Sequence, residues 1–214
     1  MSLAQLKPDQ LKWLKAAVFA LCLVPLARLA WLGTQHGLGA NPIEYISRST
    51  GWWTLCFLLI TLSVTPLRRL TGWNWLLRLR RMLGLFAFSY VCLHFTTYIW
   101  LDQFFDWRSI VKDIGKRPFI TVGFTAFLLL IPLAVTSTNA MVRRLGAKRW
   151  QRLHRAVYVI ASLGVLHFWW LVKKDIREPL IFGTLLGLLF LARLIYLNRK
   201  AAASTGAAVR SQVA

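Results

Sequence analysis

Six stretches of this chain are apolar for long enough to cross a lipid bilayer, which leaves few folds open to it. They run approximately over residues 13–33, 51–67, 82–101, 118–138, 153–172 and 179–197, each bounded by charges or turn formers. A helix needs about 20 mostly apolar residues to span the hydrocarbon core. Of the 214 residues 57% are hydrophobic and only 16% are charged, so little chain remains for a domain outside the membrane. The predicted fold is all-α, a polytopic membrane bundle of six transmembrane helices forming a single domain over residues 1–200. The segment 201–214 is small and polar, and is expected to be a disordered tail.

The net charge of +20 invites a nucleic-acid ligand, but the positions of the charges follow membrane topology instead. When loops are assigned alternately to two sides, one side receives Lys7, Lys12, Lys15, Arg68, Arg69, Arg78, Arg80, Arg81, Arg143, Arg144, Lys148, Arg149, Arg152, Arg155, Arg199, Lys200 and Arg210. The other receives Arg48, Arg108, Lys112, Lys116, Arg117, Lys173, Lys174 and Arg177, together with every acid except Asp9. Basic residues in short loops mark the cytoplasmic side, so both termini are expected there. Topology accounts for the charge, and no nucleic-acid partner is expected. Arg28 and Arg193 lie near the ends of the first and last spans, where long side chains snorkel to the interface. The first span is too long for a signal-peptide core and lacks a clear small-x-small cleavage site, so it is expected to be a retained helix. Cys22, Cys56 and Cys92 fall inside spans without a CxxC spacing and read as small packing residues.

No internal repeat is visible. The two longest loops, about 34–50 and 102–117, both lie on the outer side. The first contains GTQHGLGANP, with an Asn-Pro turn signal. In the second, Phe104 to Ile114 has the pattern of a short amphipathic helix, suited either to the membrane surface or to a docking partner. The inner loops 68–81 and 139–155 are basic with interleaved Trp and Leu. That is the composition of a segment resting on anionic lipid headgroups, or of a docking site for a soluble electron donor.

The chain has four histidines, and three of them, His94, His154 and His167, fall in the spans. An ionisable group inside the bilayer is costly and is a functional candidate by default. At about 1.5 Å of rise per residue, His94 and His167 both lie roughly 20 Å from the inner edge, on helices running in the same direction. Two imidazoles facing each other at one depth can supply both axial ligands of a heme iron, and heme carries one-electron transfer. Gly164 and Ser162 are expected to leave room for a tetrapyrrole, with Phe95, Tyr98, Phe168, Trp169 and Trp170 as candidates to pack on it. His154 is harder to pair. The matching positions on the third span are Arg80 and Arg81, and thirteen residues of ideal helix turn His154 well away from the face of His167. Either one heme binds, or a second is held by His154 with a different or shared ligand. His36 lies in the glycine-rich outer loop and is expected to be a solvent-exposed residue.

RRMLGLFAFSYVCLHFTTY (80–98) and LAVTSTNAMVRRLGAKRWQRLHRAVYVIASLGVLHFWW (133–170) resemble the ferric-reductase-like transmembrane family. Within it they are most similar to the heme-binding membrane subunits of bacterial protein-methionine-sulfoxide reductase systems. The resemblance covers essentially the whole chain. It implies an inner-membrane protein of Gram-negative bacteria that binds heme b, one or two groups, through His94, His154 and His167. It further implies electrons drawn from the quinone pool or a cytosolic flavin reductase. These would pass to a periplasmic molybdenum-cofactor subunit that reduces methionine sulfoxide and so repairs oxidised proteins. FMN is a cofactor by this resemblance alone. The protein would be a non-catalytic conduit, its electron donor external. Two other readings compete: a stand-alone membrane cytochrome b reducing ferric ion or oxygen at its outer face, and a heme-free transporter or assembly factor using its histidines as proton relays. Transporters usually carry intramembrane carboxylates, and no Asp or Glu lies within the six stretches.

Overall fold

A computed structural model describes residues 6–172 and 174–213, with side chains through Arg199; Lys173, counted among the outer-side cations, lies outside the described residues. In chain order the elements are α1 (Pro8–Thr34), α2 (Pro42–Thr71), a 3-10 turn (Asn74–Arg78), α3 (Arg80–Thr96) continued by a π-helical turn (Thr97–Asp102), α4 (Trp107–Lys116), α5 (Pro118–Val135), α6 (Asn139–Leu145), α7 (Ala147–His154), α8 (Ala156–Leu171) and α9 (Arg177–Val213). The protein is all-helical among the described residues, a polytopic membrane bundle.

Among the described residues, five segments are long and apolar enough to cross a membrane: α1, α2, α3 with its π turn, α5, and α9 through Arg199. The expected span at 153–172 is split. Its hydrogen bonding breaks at Arg155, which leaves α8 with 16 residues, about 24 Å of rise. Arg155 keeps right-handed helical dihedrals, so α7 leads directly into α8. The pair lies antiparallel to α5, with His154 against Thr136 at one end and His167 against Phe119 at the other. It therefore reaches as deep as α5 does.

Two other boundaries differ from the sequence reading. Asn-Pro at 41–42 starts a helix rather than a turn. Asn41 accepts a hydrogen bond from the Glu44 amide at 3.2 Å, and Pro42 takes the first helical position, where its missing N–H costs nothing. α2 thereby gains two turns, and one of them brings Ser47 into the bundle. At the far end, α9 stays helical through residues 201–213, where a disordered tail was expected. The segment is rich in Ala, the strongest helix former, and extends a helix already nucleated.

α2 is the central helix. Leu55, Phe57, Leu58, Leu59 and Leu62 are buried on it, against Leu83, Phe86, Ala87 and Tyr90 of α3 and Val157, Ile160 and Ala161 of α8. Lipid is as apolar as these side chains, so association rests on close packing and small residues rather than on exclusion of water. Gly164 is such a contact: a Cβ there would lie 2.8 Å from Leu55 Cδ2. The room Gly164 was expected to give a tetrapyrrole is taken by α2. Thr50, Thr54 and Thr61 return their hydroxyls to carbonyls one turn back, so α2 carries no unsatisfied polar group into the core.

α1 joins the bundle through one polar tie. Pro25 deprives the Leu21 carbonyl of its usual amide donor and loosens the helix there. The buried Tyr90 hydroxyl donates to the neighbouring Cys22 carbonyl at 2.8 Å. At the outer end α4 is capped by Asp106. The Ser109 hydroxyl, the Ser109 amide and the Arg108 amide donate to its carboxylate and hold it below the ordinary carboxylate range.

Tyr90→Phe should keep the fold and lower stability by about 1 kcal/mol, the worth of one buried hydrogen bond, with α1 becoming the first site cut in limited proteolysis; an unchanged cleavage pattern counts against the tie. Because the Asp106 pKa is depressed on folding, its cap contributes in full above the unfolded value of about 3.9 and is lost as pH falls through the lower folded value. Amide protection in α4, corrected for intrinsic exchange, should therefore be flat at neutral pH and drop in strong acid. In Asp106→Asn that pH step should vanish.

Candidate functional site

His94 sits in the last turn of α3 and turns toward the first turns of α2. Its Nδ1–H donates to the Ser47 carbonyl at 2.8 Å, with the Ser47 hydroxyl 3.4 Å away. The approach depends on Gly51, one turn further along α2 and on the same face. A Cβ at Gly51 would stand 3.1 Å from His94 Cε1 and 3.2 Å from Nδ1, tighter than side chains ordinarily allow. The helix then continues as the π turn Thr97–Asp102. Such turns are rare and frequent at functional sites.

The same arrangement recurs on the other side of the bundle. His167 of α8 donates from Nδ1 to the Phe119 carbonyl of α5 at 2.6 Å. Gly123, again four residues on, makes the opening: a Cβ there would fall 2.6 Å from Nδ1 and 2.9 Å from Cε1 of the ring. Gly51 precedes His94 by 43 residues, and Gly123 precedes His167 by 44. The two antiparallel pairs, α2–α3 and α5–α8, each carry a carbonyl, a glycine and a histidine in equivalent places. This is a structural repeat with no repeat in sequence.

The two rings meet edge to face, 6.2 Å between centroids with planes 77° apart. An imidazole nitrogen binds a first-row metal at about 2 Å, and a ring centre lies about 1.1 Å behind its nitrogen, so two rings sharing one ion stand roughly 6 Å apart. Both Nδ1 atoms are committed to backbone carbonyls, which fixes the tautomer and leaves the Nε2 lone pair as the ligand. The donor set and spacing therefore fit an iron that His94 and His167 would hold between them, and two glycines make the clearance for the rings. Among the described residues there is no cluster of three or more His, Cys, Asp or Glu side chains of the kind that holds a bare metal ion.

His154 stands apart, at the opposite, basic end. Thr136 Oγ1 donates to the Pro132 carbonyl at 2.6 Å and lies 3.0 Å from His154 Nε2. With the threonine proton already committed, Nε2–H is the donor and the lone pair is on Nδ1, the reverse of the other two histidines. Trp150 stacks on the ring at 3.8 Å and donates from Nε1 to the Thr136 carbonyl at 2.9 Å. The Arg80 guanidinium of α3 acts on the ring electrostatically; Arg80 and Arg81 are the positions that helical rise matches to His154 on the third span. His36 is solvent-exposed in the short loop after α1, with φ at 51°. Of the aromatic candidates, Phe95 packs on Phe124 and Phe127 and Phe168 on Phe182. Tyr98 donates to Asp113 at 3.4 Å. Trp169 and Trp170 are exposed, and with Ser162 they line a groove facing α9.

Sequence reasoning missed Ser47, Gly51, Phe119 and Gly123. The two glycines gave a faint signal, since a glycine inside an apolar span often marks close backbone approach. The carbonyls gave none.

Comparison with known proteins places these elements in context. Residues 50–165 match the family described as "Ferric reductase like transmembrane component". A protein of Herminiimonas arsenicoxydans named "Protein-methionine-sulfoxide reductase heme-binding subunit MsrQ" is 60% identical over 195 residues, covering 90% of this chain and 89% of the relative. The protein of the same name from Azospira oryzae is 58% identical, covering 85% and 78%, and that from Ralstonia nicotianae is 54% identical, covering 92% of each.

With 15N-labelled histidine in the heme-free chain, two buried imidazoles should report a protonated Nδ1 and a third a protonated Nε2. Three matching tautomers would contradict the hydrogen bonds described above. Thr136→Ala should release only the third.

Proposed function

The chain belongs to the ferric reductase like transmembrane family, among the heme-binding subunits of protein-methionine-sulfoxide reductases, and on that premise we propose that it is the electron-transfer subunit of such a system, with b-type heme held between His94 and His167. The observation that carries the reading is the pair of apposed imidazoles, 6.2 Å apart, each tied by Nδ1 to a helix carbonyl. When bound, heme supplies reversible one-electron chemistry at its iron.

The rest of the work belongs to the chain. The Ser47 and Phe119 carbonyls hold both rings in one tautomer and make each Nε2 a stronger ligand. Gly51 and Gly123 let the rings sit against the helix backbones. Because each ligand is fixed at two points, little has to rearrange when the charge at the site changes. His154 lies on the side where electrons enter. One heme suits the chain better than two, because helical rise matches His154 to Arg80 and Arg81 on the third span, and neither can ligate iron.

In this reading the basic end faces the cytoplasm of a bacterial inner membrane, and the quinone pool or a cytosolic flavin reductase supplies electrons there. They leave from the His94–His167 end to a periplasmic molybdenum-cofactor subunit that reduces methionine sulfoxide in oxidised proteins. The chain conducts; the partner catalyses.

A reduced-minus-oxidised visible spectrum of the purified protein should show b-type bands at about one heme per chain. His94→Ala and His167→Ala should each abolish them, and His154→Ala should leave most of the signal while slowing reduction from the inner side. Gly123→Leu, which puts a side chain where the His167 ring lies, should remove heme as fully as His167→Ala. Full heme content in His94→Ala sinks the ligand assignment. Loss of the periplasmic subunit should abolish sulfoxide reduction but leave the heme reducible; activity surviving that loss would favour a stand-alone cytochrome.

A further inference from the structure

At the basic end of the bundle two guanidiniums line one crevice, and neither is ion-paired among the described residues. Arg193 of α9 donates to the Tyr158 hydroxyl of α8, its Cζ 4.5 Å from that ring's centroid. Arg69, near the end of α2, lies 3.2 Å above the ring of Tyr196. The ion pairs among the described residues, Glu44–Arg48, Asp113–Arg117 and Asp175–Arg177, are all at the opposite end. Stacking on tyrosine offsets part of the cost of a cation near lipid, but it supplies no counter-charge.

The two arginines line a small crevice of about 20 Å³ with Leu62, Pro66, Leu189 and Phe190. Phe190 also lines a larger groove of about 480 Å³ between α8 and α9, which runs past Val165, Gly183 and Gly187 toward Trp169. A Cβ at Gly187 would meet nothing within 4 Å, so the glycine opens the groove rather than closing a helix contact. From Arg193 back to Gly183 is ten residues, about 15 Å of helix. The groove faces α9, away from the α5 side where the His167 ring sits.

Paired cations at one end and a long apolar trough at the other match a single amphiphile. We propose that one anionic phospholipid of the leaflet at the basic end binds here, its phosphate at the mouth of this crevice against Arg69 and Arg193 and an acyl chain along Gly183 and Gly187. Arg binds phosphate oxygens through paired, charge-assisted hydrogen bonds, and anionic lipid concentrates where basic loops do. The Tyr158 hydroxyl accepts from Arg193, so its own proton is left to donate to a headgroup oxygen. A zwitterionic headgroup would place its own cation beside the two arginines and bind less well.

The test is native mass spectrometry of the full heme-loaded chain in detergent, titrated in separate arms with phosphatidylglycerol, phosphatidylcholine and ubiquinone. One phosphatidylglycerol should be retained per chain, in preference to phosphatidylcholine. The double variant Arg69→Gln/Arg193→Gln should lower its apparent affinity by about tenfold or more, as expected for loss of charged hydrogen bonds. Gly187→Leu, which fills the trough from open space, should weaken both lipids while the helical circular dichroism and the heme spectrum stay unchanged. Equal binding of the two lipids overturns the proposal, as does an undiminished phosphatidylglycerol preference in the double variant. Ubiquinone displacing the bound lipid at equal concentration would assign the crevice to a quinone instead. Glycerol phosphate competing as well as the intact lipid would remove the role of the trough.

Discussion

A carbonyl inside an α-helix already accepts one hydrogen bond, from the amide four residues on, and the side chain of that same residue shields its second lone pair. An imidazole ring reaches the second lone pair most readily where that side chain is missing. Gly51 supplies this for the Ser47 carbonyl, and Gly123 for the Phe119 carbonyl. The rest of the site follows from these two bonds. They commit Nδ1, free Nε2, fix the direction of each ring and draw the two rings to 6.2 Å. Inside a bilayer such bonds have little competition from water, so they hold more firmly than the same contacts at a wet surface.

The bundle is arranged to protect this geometry. α2 is the most enclosed helix and touches α3, α8 and α9, so the side chains around Gly51 are fixed from three directions. Its threonines bond within their own helix and ask nothing of their neighbours. Ala87, Ala161 and Gly164 bring backbones close where larger residues would hold them apart. Packing is looser toward α9, where Gly187 faces open space and Arg69 and Arg193 lie over tyrosine rings.

Much of this was legible in the chain. Apolar block length identified the membrane class because the thickness of a bilayer is a fixed ruler. Rise per residue put His94 and His167 at one depth, and they are in ring contact. The same arithmetic turned His154 away from them, and it packs against Thr136 at the other end of the bundle. Other features were not legible. Asn41–Pro42 reads equally well as a turn and as a helix start, and only the Glu44 amide hydrogen bond decides between them. Gly164 reads as empty space until Leu55 is seen filling it. The break at Arg155 has no glycine or proline beside it to mark it in the sequence.

The sequence by itself determined the class of fold, the six blocks and their charge asymmetry, and the level of each histidine along its helix, because all of these are one-dimensional quantities set by composition and helical rise. The tertiary structure alone decided which backbone carbonyl each imidazole meets, and therefore which nitrogen is free. That choice depends on the rotation and closeness of two helices whose contact residues lie more than forty positions apart. Every residue carries the same carbonyl, so nothing in the order of side chains marks the one that will be used.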